Sequence, residues 1–118
     1  MVWVEVTRFG PQGHRDLNFI LDTGTPMTTV DTSIVDDLGY SPRMGKGVSR
    51  SIGMGGPERG YILAVSRLEA MGLIVGPFEV ACADFPSGLG VDNLIGMDLL
   101  DGHLLALDCA RGVLTVEP

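Results

Sequence analysis

Asn18-Phe19-Ile20-Leu21-Asp22-Thr23-Gly24-Thr25 is the stretch on which the reading of this chain turns, because three apolar residues deliver an aspartate into a Thr-Gly turn. Desolvating a carboxylate at the end of a buried strand costs several kcal/mol unless it finds partners, so an aspartate placed there is one the molecule uses. Gly24, two residues on, lets the backbone turn sharply and approach a reacting group closely. Thr23 and Thr25 flank that glycine and can hydrogen-bond around the carboxylate. The same tripeptide also serves as a plain turn between strands, so its meaning depends on what surrounds it.

Outward from Asp22 the chain reads as strands and turns. Val2 to Thr7 alternates apolar and polar, Phe9 to Gly13 turns the chain, and Leu17 to Leu21 is the strand that returns to Asp22. Thr28-Thr29-Val30 is β-branched and leaves the Asp22 loop as a strand. Asp31 or Thr32 caps a short helix through Leu38, with Ile34, Val35 and Leu38 on one face and Gly39 at its end. The stretch from 41 to 60 is crowded with glycine and proline and shows almost no periodicity until a strand over Tyr61 to Leu68. Leu73 to Val75 and Phe78 to Ala83 are strands, and Asn93-Leu94-Ile95 is a short apolar strand running into Gly96. One helical turn over Met97 to Leu100 and a hairpin of Leu104 to Asp108 with Val113 to Glu117 close the chain. The expected architecture is mostly β and barrel-like, with one or two short helices.

Composition bounds the function. With 118 residues the chain is one domain with a limited core, yet 45% of it is hydrophobic and only 19% is charged. That apolar excess fits a chain that hides surface in an oligomer. Seventeen glycines and seven prolines favour short strands and tight turns over long helices. A net charge of −7 without a basic cluster disfavours nucleic acid and anionic membranes as partners, and no apolar run has the length of a membrane span. The N-terminus lacks the charged start and cleavage site of a signal peptide. Cys82 and Cys109 both sit in apolar, strand-like contexts and are expected to be buried free thiols; their spacing gives no metal signal. The expected location is the reducing cytoplasm, with the chain acting alone or as a soluble domain of something longer.

Three motifs in order resemble the retropepsins, the homodimeric aspartic peptidases of retroviruses and their cellular and bacterial relatives. They are Leu21-Asp22-Thr23-Gly24-Thr25, the glycine-rich Ile52-Gly53-Met54-Gly55-Gly56, and Asn93-Leu94-Ile95-Gly96-Met97-Asp98-Leu99-Leu100. The resemblance covers nearly all of the chain and implies a closed acid-protease barrel over residues 1–118. It further implies that two chains share one active site, since a water-activating dyad needs two carboxylates and each chain carries one Asp-Thr-Gly. Asp22 is then the catalytic residue, and Thr23, Gly24 and Thr25 support its loop. Ile52 to Gly56 form the tip of a flap over a peptide substrate, and Leu94, Ile95 and Gly96 pack beneath the loop. No cofactor is implied.

The residues taken by themselves leave plainer readings open. Ile52 to Gly56 also reads as a flexible loop, and Leu94-Ile95-Gly96 as an ordinary core strand ending in a turn. Asp92, Asp98, Asp101 and Asp108 read as solvated turn or cap residues, and His14 and His103 are isolated. Retroviral enzymes commonly pair an acidic residue two positions after the Asp-Thr-Gly with an arginine after the later glycine; here Pro26 and Met97 stand there, so both partners are missing together, which points to a cellular-type variant. A non-catalytic retropepsin-like module for dimerisation or peptide binding is one alternative. Another is the phospho-aspartate motif of haloacid-dehalogenase-type phosphatases, which Ile20 to Thr28 also resembles, but which requires a doubly wound α/β core.

Overall fold

Each short apolar run in the sequence becomes a strand, and the turns between them fall on glycine, proline and aspartate. The computed structural model describes residues 2–6, 13–45, 47–53, 56–86 and 90–117. Its strands are β1 (Val2–Val6), β2 (Gly13–Leu17), β3 (Phe19–Leu21), β4 (Thr29–Asp31), β5 (Gly47–Gly53), β6 (Gly56–Val65), β7 (Arg67–Ala70), β8 (Leu73–Val75), β9 (Phe78–Ala83), β10 (Asn93–Ile95), β11 (Leu104–Asp108) and β12 (Val113–Glu117). Helices α1 (Thr32–Asp37) and α2 (Met97–Leu100) and a 3₁₀ turn at Pro42–Met44 complete the described elements.

The expected closed barrel is not what the strands form. They make three separate sheets: six strands in the order β3-β10-β4-β9-β6-β5, four in the order β2-β1-β7-β8, and the β11-β12 hairpin. Two breaks in what the sequence suggested were continuous strands explain the separation. The expected strand over Leu17 to Leu21 is interrupted at Asn18, whose backbone N–H and C=O are both taken up by Asp92, so β2 and β3 enter different sheets. The expected strand over Tyr61 to Leu68 is interrupted at Ser66, whose N–H donates to the Tyr40 hydroxyl at 3.1 Å. Among the described residues no ladder crosses from one sheet to the other at either break. The doubly wound α/β core that a phospho-aspartate enzyme requires is likewise not the architecture found.

The core between these layers is aliphatic: Val30, Val35, Leu63, Val65, Leu68, Val80, Ile95 and Leu100 are buried, and Ile34 and Leu38 bring α1 onto it. Helix α1 ends in a Schellman arrangement. Gly39 takes φ +96°, its N–H donates to Asp36 O, and the Tyr40 N–H donates to Val35 O at 2.9 Å. Cys82 is buried as expected, and burial pushes its thiol from an ordinary value near 9 up to about 12, with a smaller contribution from Asp36. Cys109 contradicts its expectation: it lies in the β11–β12 turn rather than in a strand, and residues 106–113 around it are exposed. Among the described residues no helix is long and apolar enough to cross a membrane.

Candidate active site

The Asp22 loop is an arch whose shape follows from strand order. Strands β3 and β4 are joined by residues 22–28, yet β10 is inserted between them, pairing parallel with β3 and antiparallel with β4. The arch must therefore cross two inter-strand steps, about 10 Å, over the end of β10. That geometry brings the first and third sequence motifs together: the Asp22 N–H donates to Ile95 O at 2.9 Å, the Met97 N–H to Thr25 O at 2.7 Å, and the Asp98 N–H to Pro26 O at 3.1 Å. Leu94 pairs with Ile20 and Thr29, and Ile95 is buried in the core.

Gly96 sits where the two segments touch. A Cβ there would lie 2.8 Å from both Met27 C and Thr25 O and 3.0 Å from Met27 O, all backbone atoms. Its φ of −99° suits any residue, so glycine is required by space and not by conformation.

The carboxylate itself is held by its own loop. The Gly24 N–H donates to Asp22 Oδ1 at 2.9 Å and the Thr25 hydroxyl to Asp22 Oδ2 at 2.9 Å. Each oxygen thus receives one fixed donor, which sets the plane of the group. Asp22 and Thr25 are half-buried, while Thr23 and Gly24 face outward from the single chain.

The second motif is a β-hairpin. Strands β5 and β6 pair antiparallel from Gly47↔Ile62 to Gly53↔Gly56, with Ile52 opposite Pro57. Met54 and Gly55 lie outside the described residues. Strand β5 has no counterpart in the periodicity of the sequence, since its glycines and serines hide the pattern.

The support that Pro26 and Met97 cannot give comes from Asp98, which sequence reading took for a solvated turn or cap residue. Asp98 Oδ2 accepts the Thr28 N–H at 2.9 Å, and Oδ1 accepts the Thr28 hydroxyl at 2.7 Å and the Leu99 N–H at 2.8 Å. Thr28 is fully buried, and its oxygen in turn accepts the Gly96 N–H at 3.2 Å. No local signal announces a pairing across 70 residues. Asp108 behaves as expected of a turn, accepting from the Ala110 and Arg111 amides, whereas Asp92 departs from that expectation: its carboxylate accepts the Asn18 N–H across 74 residues and its carbonyl the Asp31 N–H. His103 contacts the Glu117 carbonyl, away from Asp22 in sequence and in hydrogen bonding.

Comparison with known proteins agrees with this geometry. Residues 4–99 match the family described as aspartyl protease. Among solved structures, a retropepsin-like aspartic protease from Rickettsia conorii aligns with TM-score 0.61 at 15% identity, covering 98% of this chain and 96% of that one. The retroviral protease-like domain of Ddi1 from Leishmania major aligns at 0.57 and 19% identity, covering 98% and 87%. The EIAV protease, in complex with the inhibitor HBY-793, aligns at 0.55 and 26% identity, covering 71% and 73%. No curated protein matches by sequence.

Proposed function

The chain belongs to the aspartyl protease family, with a retropepsin-like fold, and from that premise we propose that it is an aspartic endopeptidase whose active site is completed by a second copy of itself. The observation that carries this reading is the Asp22 carboxylate, oriented by the Gly24 N–H and the Thr25 hydroxyl at the start of an arch whose Thr23 and Gly24 face outward. One such group orients a water but cannot also polarise the carbonyl; two meeting across a two-fold axis can do both.

Two carboxylates at contact distance do not both ionise and instead share a proton. The ionised Asp22 takes a proton from the bound water as its oxygen attacks the scissile carbonyl carbon. The protonated Asp22 of the second copy polarises that carbonyl oxygen and then gives its proton to the leaving nitrogen as the C–N bond breaks. The proton taken from water stays on the first Asp22, so the pair again holds one proton. Thr23, exposed beside the carboxylate, ties the two arches together. The β5–β6 hairpin, with Ile52, Gly53, Met54, Gly55 and Gly56 at its tip, covers an extended peptide that pairs as a strand. Residues 1–118 serve as one lobe of this assembly.

The terminal hairpin supports self-association. The register Leu105↔Val116 and Leu107↔Leu114 puts four apolar side chains on one face. Leu105 packs on the core, whereas Leu107 is 68% exposed. Covering that face against a second copy buries surface a lone domain leaves wet.

Cleavage of a mixed peptide library across pH, with Asp22→Asn as control, tests the reading. Cleavage that is strongest in acid and absent in the control is expected. A dimer that binds peptides without cutting them, or a control as active as the native chain, refutes catalysis by Asp22.

A further inference from the structure

We propose that Asp98 is a positioning residue for Asp22: by clamping Thr28 to the first turn of α2, it fixes the arch that carries the carboxylate. Its kinetic consequence rests on the peptidase reading above; its structural half does not.

The arch has two feet. At the Asp22 foot the backbone N–H is held by Ile95 O. At the Thr28 foot the backbone N–H and the hydroxyl both end on the Asp98 carboxylate, at 2.9 and 2.7 Å. A carboxylate only accepts, so the Thr28 hydroxyl must donate to it and is left to accept from Gly96, giving a directed chain from Gly96 N–H through Thr28 to Asp98. Bonds in such a chain polarise one another. Thr28 is fully buried beneath a surface carboxylate, so in the folded chain Asp98 is what satisfies its N–H and hydroxyl. The crest between the feet is Gly24 and Thr25, the two residues that orient Asp22. The Thr28 foot and the Asp22 carboxylate are thus mechanically linked through six residues of chain, without any direct contact between Asp98 and Asp22.

Losing the clamp leaves the backbone bonds from Met97 to Thr25 and from Asp98 to Pro26 available. The fold then persists while the arch relaxes, and Asp22 turns away from its working orientation. A displacement of about 1 Å at a reacting group costs up to about a hundredfold in rate.

The test compares Asp98→Ala, Asp98→Asn, Thr28→Val and Thr28→Ser in the native chain. Thr28→Val keeps the shape and removes the hydroxyl; Thr28→Ser keeps the hydroxyl. Two readouts are needed: kcat and KM on a peptide the native chain cleaves, and the Gly24 amide proton resonance, which reports its bond to Asp22 and requires no activity. Asp98→Ala and Thr28→Val are expected to lose about tenfold or more in kcat, with KM within about twofold and the Gly24 resonance moved upfield. Thr28→Ser is expected to match the native chain in both. Folded Asp98→Ala and Thr28→Val proteins with native kcat and native Gly24 resonance overturn the proposal, even if they melt earlier, because that is what a purely structural role gives. If Asp98→Ala does not fold, Asp98→Asn and Thr28→Val carry the same comparison. If the native chain cleaves nothing, the peptidase reading falls and the Gly24 resonance alone decides whether Asp98 positions the arch.

Discussion

Replacing Gly96 by alanine adds one methyl group at the point where β10 meets the underside of the Asp22 arch. The backbone torsions there suit alanine (φ −99°, ψ −178°), so the whole cost is steric. The new Cβ lies 2.8 Å from two backbone atoms, where comfortable contact needs about 3.5–4.0 Å. Backbone cannot rotate away as a side-chain tip does, so the arch must lift by roughly 0.7 Å or more. Overpacking of this kind costs about 1–3 kcal/mol. Lifting also stretches the Met97–Thr25 bond at 2.7 Å and the Gly96–Thr28 bond at 3.2 Å, and losing one of them adds about 1 kcal/mol. Against this, alanine restricts the unfolded chain and returns about 0.4–1 kcal/mol. The net expectation is a loss of about 1–3.5 kcal/mol. Urea unfolding at one fixed protein concentration, with the slope unchanged, reads this directly. Gly112→Ala serves as a comparison: open space surrounds that position but φ is +66°, so it should cost about 1 kcal/mol of conformational strain and leave the site intact. A Gly96→Ala protein within about 0.5 kcal/mol of the native chain, with native peptidase activity, refutes the tight contact between β10 and the arch.

Removing the Thr25 hydroxyl takes one of two donors from the Asp22 carboxylate; Thr25→Ala should therefore lower kcat while leaving the fold intact, and an unchanged kcat removes the hydroxyl from the mechanism. Leu107→Glu places a charge on the exposed apolar face of the terminal hairpin and should shift sedimentation toward monomer with loss of cleavage. Each chain carries −7, so added salt should strengthen the native dimer at neutral pH by screening exposed charge within ~10 Å at 0.1 M; weaker association in salt contradicts this. An alkylating reagent should modify the exposed Cys109 quickly and Cys82 only on unfolding. Burial raises the folded-state value of Cys82 from near 9 to about 12, so the unfolded chain releases that proton first. The stability held by the neutral thiol is therefore complete below about pH 9 and is lost as pH climbs toward 12; Cys82→Ala should flatten that alkaline decline, measured by urea midpoints.

What the sequence disclosed and what it concealed divide along sequence distance. The Asp22 loop was legible because its partners, Gly24 and Thr25, lie within three residues. The β11–β12 hairpin and strands β8, β9 and β10 were legible because apolar runs are bounded by glycine and aspartate. Helix α1 was legible from Asp31 and Gly39, although Asp31 caps it without a side-chain bond. Strand β5 was legible only through the flap hairpin that the resemblance implies, because its own residues, largely glycine and serine, show no period. The breaks at Asn18 and Ser66 were hidden because each is stabilised by a residue far along the chain, Asp92 and Tyr40. The same distance concealed Asp98: an aspartate in the first turn of a helix looks like a cap until Thr28, 70 residues earlier, is found beside it. Cys109 misled because it falls in the exposed turn between β11 and β12 and not in the strand its apolar neighbours suggested.

The most direct test of a shared active site is a mixing titration. Native chain and Asp22→Asn chain are combined at constant total concentration, allowed to exchange subunits, and assayed on one peptide. If each copy supplies one essential Asp22, only dimers of two native chains cut, and activity falls as the square of the native fraction, to about a quarter at an equal mixture. A straight-line fall, leaving about half the activity at an equal mixture, means that one chain suffices and contradicts the shared dyad.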